Sequence, residues 1–216
     1  MRNFCLSLLL LLCVGCNTDT KPREGDIIFN TGTKNQSALL ERATQSTITQ
    51  CGIIIKKDDG FYVLHVDKSV TMIPLHSFIK QGARSEYTIM RATDKEVKID
   101  YNKYMLAEYD FLLSLDNDRY YNSELVYLIY KNDLGIELCQ PRAIKDYKIE
   151  GLESMLSERR IKLNQLVVSP ADLFNAKKLR TIQTHKDRIK MKREKEVKPY
   201  KQTQAVCQSN DTPLAL

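Results

Sequence analysis

Short runs of β-branched and aromatic residues alternate with polar segments along the first half of the chain. Three such runs, which predict strands, occupy residues 26–29, 50–55 and 61–66. Asp58-Asp59-Gly60 separates the last two and predicts a hairpin turn. The polar segment 35–47, with leucines only at its centre, predicts a short helix. The first half is therefore expected to be a small sheet with helical connections.

The pattern continues in the second half with a larger share of helix. An edge strand is predicted over residues 70–73. Pro74 should end it, because proline has no N–H to give to the hydrogen-bond ladder. Asn122 suits the N-cap of a helix that runs to about residue 130. The other predicted elements are a helical turn at 75–81, a strand at 87–91, a helix over 97–114, and a strand with a helical turn at 167–174. The whole pattern predicts an α+β domain, with a small antiparallel sheet or barrel packed against helices.

The N-terminus differs from the rest of the chain. Arg2 precedes an apolar run that is too short to span a bilayer, and Leu12-Cys13-Val14-Gly15-Cys16 looks like a lipobox. This predicts a lipoprotein signal peptide at residues 1–15, lipidation of Cys16, a tether at 16–24, and a domain held outside the cytoplasm in the cell envelope. A plain secretory signal with an incidental cysteine is the alternative.

The cysteines and the charge distribution argue against disulfide-rich, metal-binding and nucleic-acid-binding classes of protein. After processing, only Cys51, Cys139 and Cys207 would remain, and no Cys or His spacing suggests zinc. We therefore expect no disulfide framework, no metal and no cofactor. Much of the formal net charge of +6 lies in residues 186–198, within a basic tail predicted at 186–216. No nucleic-acid motif accompanies it, so the tail is interpreted as a solvated helix or a disordered segment, with contact to anionic lipid or glycan as the alternative.

Three segments together resemble a known family. They are Gly25-Asp26-Ile27-Ile28-Phe29, then Thr49-Gln50-Cys51-Gly52-Ile53-Ile54, then Tyr120-Tyr121-Asn122-Ser123-Glu124-Leu125-Val126-Tyr127. In this order they resemble the permuted papain-like hydrolases of the YiiX/YaeF-like group, relatives of the NlpC-type peptidases. The resemblance covers about residues 24 to 180 and implies a permuted papain-like (NlpC-type) domain at 25–185.

The resemblance also implies where catalytic residues would stand, and this chain departs from the pattern there. Gln50 occupies the histidine position, His65 the acidic position and Asn122 the cysteine position. An amide is neither a nucleophile nor a general base, so no thiolate–imidazole mechanism can operate from these positions. The sequence therefore predicts a pseudoenzyme in which no residue is catalytic.

Ligand binding is the function that remains for such a cleft. We expect Gln50, His65, Tyr109, Asn122 and Ser123 to line it and to bind an amide or acyl ligand, such as a peptidoglycan peptide or a lipid. One alternative is an active amidase or acyl hydrolase that uses Ser123 or Cys51 with His65, although Cys51 is expected to face the core because successive strand residues face opposite sides. Another is a protein-interaction or inhibitor module.

Overall fold

A computed structural model describes residues 20–190 of the 216-residue chain. A six-stranded antiparallel sheet organises them in the order β4-β3-β2-β1-β5-β8, and a two-stranded sheet pairs β6 with β7. The strands are β1 Ile27–Asn30, β2 Gln50–Lys57, β3 Gly60–Val66, β4 Val70–Pro74, β5 Thr88–Arg91, β6 Arg142–Ala143, β7 Leu166–Val167 and β8 Arg180–Thr184. The predicted α+β fold is confirmed.

Five α-helices and several single turns connect the strands. The α-helices are α1 Asn35–Thr44, α2 Leu75–Gln81, α3 Asn122–Leu128, α4 Glu153–Glu158 and α5 Pro170–Phe174. Turns of 3-10 helix occur at Ala83–Ser85, Tyr101–Lys103 and Ile144–Asp146, and a π-helical turn, Ile129–Asp133, extends α3. In the described range, no helix is both long enough and apolar enough to cross a bilayer.

Alternating side chains of the central strands build a core on each face of the sheet. On one face Phe29, Cys51 and Leu64 pack against α3 and α5. On the other face Ile54 and Val63 pack against α2. Residues one position apart along a strand therefore belong to different cores, as the period of two requires.

A buried ion pair joins the N-terminal segment to the sheet. Arg91 Nε lies 2.7 Å from Asp26 Oδ1, and both side chains are nearly inaccessible to solvent. Arg91 also donates to the Lys21 carbonyl, and Glu24 accepts a bond from Ile99 N. Residues 21–24 are thus fastened to the domain, which corrects the prediction that they belong to a tether.

The prediction of a helix over 97–114 is wrong. Only Tyr101–Lys103 forms a helical turn, and the chain then runs beside β4, where Val70 N donates to the Ala107 carbonyl. Leu106 and Leu113 take positive φ values of 69° and 55°, which no α-helix accommodates. The apolar residues of this segment are spaced as in a helix, but the backbone of residues 106–109 is bonded to the chain at and just before β4 instead.

Several predictions concern the two ends of the chain. The signal peptide at 1–15, lipidation at Cys16 and the basic tail beyond residue 190 lie outside the described residues. Within the tail, residues 185–190 are helical. Thr184 and Asp187 cap that helix reciprocally, because each side chain accepts a hydrogen bond from the other's backbone N–H.

Candidate functional site

A cavity of about 320 Å³ opens where β2 begins and β3 ends. All five residues that the sequence suggested for ligand binding line it. They are Gln50, His65, Tyr109, Asn122 and Ser123. The cavity has a polar wall at the end of the sheet and an apolar wall that comes from a separate hydrophobic cluster.

Gln50 is the first residue of β2, and its side chain enters the cavity. Its Oε1 is buried and has no hydrogen-bond partner among the described residues. The next residue, Cys51, is fully buried in the opposite core, as alternation along the strand predicted. Gly32 packs closely on the amide, since a Cβ there would lie 3.1 Å from Gln50 Cδ. The carboxamide is thus held in place by a close backbone approach.

His65 is buried on the same wall and is 5% exposed. Its ring packs edge-on against Phe78, with centroids 5.4 Å apart. Gly52 permits the close approach of the two strands, because a Cβ there would lie 2.8 Å from the Leu64 carbonyl oxygen and 3.3 Å from His65 Cβ. Burial lowers the pKa of His65 from 6.5 to about 4, so the imidazole is neutral at pH 7.

The Nε2 atom of His65 is buried and has no hydrogen-bond partner among the described residues. This atom bonds neither Gln50 nor Asn122, although both side chains line the same cavity. Gln50 Oε1 is itself unpartnered, and Asn122 Oδ1 accepts a bond from Val66 N at 2.7 Å. Two atoms on the polar wall, Gln50 Oε1 and His65 Nε2, are therefore left without a partner in the described part of the chain.

Asn122 is the first residue of α3 and Tyr121 is its N-cap, so the helix begins one residue earlier than predicted. The Asn122 side chain reaches across to β3 because Glu124 satisfies the helix start instead. Glu124 Oε2 accepts a bond from Tyr121 N at 3.0 Å. The helix terminus is thus clamped to the end of β3 by the Asn122–Val66 bond.

The two alternative nucleophiles are not placed for attack. Ser123 is 2% exposed, and its Oγ donates to the Val168 carbonyl at 2.7 Å. Cys51 lies in the core on the other face of the sheet, and burial raises the pKa of its thiol far above the ordinary value. Neither side chain is hydrogen-bonded to His65.

The apolar wall belongs to a cluster around α4 and β7. Its buried members are Ile144, Leu156, Ile161 and Val167. Tyr109 stands at the border of this wall, and its ring contacts Phe111 edge-on at 4.8 Å between centroids. A ligand in the cavity would meet hydrogen-bonding atoms on one side and aliphatic side chains on the other.

Two buried carboxyl groups lie near the start of α3: Asp110, which precedes the helix, and Glu124, in its first turn. Asp110 is fully buried and accepts bonds from Leu112 N and Ser114 N. Glu124 is also fully buried, its Oε1 has no partner among the described residues, and burial raises its pKa from 4.5 to about 8. The helix start predicted near Asn122 implies that Glu124 lies in the first turn, as it does, but no sequence pattern indicates its burial.

Comparison with known proteins identifies the family of this chain. A family model described as "Permuted papain-like amidase enzyme, YaeF/YiiX, C92 family" matches residues 21–183. The chain belongs to this family. It is 29% identical over 194 residues to "Uncharacterized protein YiiX" of Escherichia coli (strain K12), a match that covers 84% of this chain and 96% of the relative.

A solved member of the YaeF/YiiX family shares the fold. It is the crystal structure described as metalloprotein yiiX from Escherichia coli O157:H7. The TM-score is 0.69 at 28% identity, over 76% of this chain and 98% of the other. The predicted permuted papain-like fold is thereby confirmed.

Proposed function

We propose that this chain is a lipid-anchored envelope pseudoenzyme of the YaeF/YiiX family, which binds an amide or acyl ligand in its cavity without hydrolysing it. The ligand class is that of peptidoglycan peptides or lipids. Cys16 is the proposed site of lipidation, and the membrane reached through that lipid is the proposed location.

One observation carries the proposal: Gln50 Oε1 and His65 Nε2 are buried in the cavity, and no residue between 20 and 190 bonds either atom. A buried polar atom without a hydrogen bond costs about 1–3 kcal/mol, so a ligand that bonds both atoms is favoured. Gln50 Oε1 can only accept, and Nε2 of the neutral His65 ring also accepts, because the single ring proton lies on the other nitrogen and is donated to the Val66 backbone. Two N–H donors, such as those of a primary amide or of neighbouring peptide groups, complement both atoms.

We expect no hydrolysis because the side chain at the start of α3, Asn122, is not a nucleophile. An amide cannot attack a carbonyl, and the Oδ1 of Asn122 is already bonded to Val66 N. Ser123 is the remaining hydroxyl at the helix start, and its proton is directed to the Val168 carbonyl. The active-hydrolase alternative would need one of these groups to reorganise before any covalent step.

A metal does not fit this cavity. The related crystal structure is described as a metalloprotein. In the described part of this chain, however, no three His, Cys, Asp or Glu side chains come together as ligands. The cavity wall offers one imidazole, four carboxamides and one carboxylate, Asp67, which is paired with Lys34. Carboxamides are weak ligands for transition metals. No step of the proposed function uses a metal.

The apolar wall supports an acyl or other aliphatic part in the ligand. Burying aliphatic surface against Leu156 and Val167 would add about 25 cal/mol for each Å² removed from water. An amide head that donates to Gln50 and His65, with an aliphatic tail along α4, fits both walls together.

Reactivity of the chain from Asn17 onward tests the proposal. Thiol- and serine-directed activity probes should leave it unlabelled, whereas the Asn122→Cys plus Gln50→His variant should be labelled. Labelling of the native protein that disappears with Ser123→Ala or Cys51→Ala would instead identify an active hydrolase.

Binding is tested separately by calorimetry with two probes, a stem-peptide amide and an N-decanoyl amino-acid amide. Gln50→Leu and His65→Leu should each weaken binding of the preferred probe by about tenfold or more, because each leaves one ligand group unpaired. His76→Leu, an exposed histidine outside the cavity, is the matched control. Absence of binding to both probes contradicts the proposed ligand class.

A further inference from the structure

Two apolar side chains are exposed to solvent beside the mouth of the cavity. Phe111 is 54% exposed and Leu112 is 51% exposed. Phe111 contacts Tyr109, which lines the cavity, and Leu113 on the other side of the pair also lines it. The exposed pair is therefore continuous with the apolar interior.

The loop that carries them is held firmly. Asp110 accepts bonds from the backbone of Leu112 and Ser114, and Gln165 Nε2 donates to the carbonyls of Leu112 and Leu113 at 2.6 and 2.7 Å. Leu113 has φ 55°, a left-handed conformation that costs a leucine about 1 kcal/mol or more. This hydrogen-bonded and strained backbone keeps Leu113 at the cavity wall and Leu112 in solvent.

Cations flank the same surface. The Arg159 guanidinium lies 5.5 Å from the Phe111 ring centroid and lines the cavity as well. Arg160 and Lys162 follow it, and Leu163 is 48% exposed next to them. Within residues 158–163 three basic side chains stand against one acidic one, Glu158, whereas the loop that follows Phe111 carries Asp116 and Asp118. The basic excess is therefore local to the 158–163 segment.

We propose that this surface, formed by Phe111, Leu112 and Leu163 with Arg159, Arg160 and Lys162, docks on an anionic membrane and brings the mouth of the cavity to the lipid. Aromatic and aliphatic side chains with adjacent arginines suit the interface between headgroups and acyl chains. The folded domain itself makes this membrane contact. The contact is therefore independent of lipidation at Cys16 and of the ligand in the cavity.

The chain contains no tryptophan, so a single introduced tryptophan reports its own environment. All strands, helices and core clusters described above lie within residues 20–190, so the chain from Asn17 to Leu216 keeps the fold. We would compare Phe111→Trp with Tyr62→Trp, which lies at the opposite end of β3 from His65. Both would be mixed with vesicles of phosphatidylglycerol and phosphatidylethanolamine.

The expected result is a blue shift of the Phe111→Trp emission and its quenching by doxyl-labelled lipid, with Tyr62→Trp unchanged. Vesicle-bound protein with unchanged Phe111→Trp emission would show attachment by another segment, such as the basic tail, and would overturn the proposal. Equal responses of both tryptophans would also overturn it. A concentration-dependent shift without vesicles would identify a second copy of the chain as the partner instead.

Charge removal gives a second readout by vesicle flotation. Substituting glutamine for Arg159, Arg160 and Lys162 should weaken binding to anionic vesicles by about fivefold for each charge at low salt. The control replaces Lys56 and Lys57, exposed at the far end of β2, and should have a much smaller effect per charge. Equal losses per charge would indicate attraction without a defined docking surface.

Discussion

Replacing Glu124 with glutamine should change the way in which stability depends on pH. Burial raises the pKa of Glu124 from 4.5 to about 8, so the folded protein binds more protons than the unfolded chain between these values. Stability contributed by Glu124 is therefore complete below pH 4.5 and is lost as the pH rises through 8. His65 acts in the opposite direction, because its pKa falls from 6.5 to about 4 on folding. Its contribution is complete above pH 6.5 and is lost as the pH falls through 4.

The magnitudes follow from about 1.4 kcal/mol for each pH unit inside each window. Between pH 4.5 and 6.5 the two contributions have opposite slopes and cancel. From pH 6.5 to 8 only Glu124 still acts, so the native protein should lose about 2 kcal/mol there. Glu124→Gln keeps an acceptor for Tyr121 N but cannot titrate. Its stability should rise by about 3 kcal/mol from pH 4 to 6.5 and then stay level.

Urea unfolding of the chain from Asn17 to Leu216 at pH 4.5, 6.5 and 8 measures these slopes. Glu108→Gln, which removes a carboxylate that is 72% exposed, serves as the control and should follow the native profile. If Glu124→Gln still loses stability between pH 6.5 and 8, another group is responsible, and the assignment to the buried carboxyl is refuted.

Three further predictions concern contacts elsewhere in the domain. Asp26→Ala should lower the free energy of unfolding by about 3–5 kcal/mol in urea titrations, because it leaves the Arg91 charge buried; a loss below 1 kcal/mol would contradict this. Asn122→Leu should cost about 1–3 kcal/mol and speed hydrogen exchange at Val66 N, whereas unchanged exchange would mean that the clamp does not protect this amide. A variant with Cys51 as its single cysteine should react with a disulfide reagent only when unfolded, and prompt labelling of the folded protein would show that the thiol is accessible.

The central strands could be predicted because their sequence pattern and their burial agree. The middle of β2, Ile53 to Ile55, is β-branched and buried on both faces, and β3 is rich in aromatic and β-branched residues. The Asp58-Asp59 turn joins the two strands as expected. Strand β8 was missed for the opposite reason. Of its five residues only Ile182 is buried, so its position is fixed by pairing with β5 and not by an apolar run.

Family resemblance brought the site residues together, whereas their bonding could not be predicted. Gln50, His65 and Asn122 are far apart in sequence, and only the folded sheet brings them to one cavity. That Asn122 binds Val66 N, leaving His65 Nε2 unpartnered, depends on where α3 meets the end of β3. No local pattern encodes such a contact, because it joins residues 56 positions apart.

The bond from Arg91 to the Lys21 carbonyl limits how far a lipid on Cys16 would let the domain move away from its membrane. Five residue steps separate Cys16 from Lys21, and a fully extended chain covers at most about 3.6 Å per residue, or roughly 18 Å in all. That reach is less than the diameter of a small domain. If Cys16 carries the proposed lipid, a domain attached by so short a segment stays at the bilayer surface, and the molecules it meets are those that the membrane itself presents.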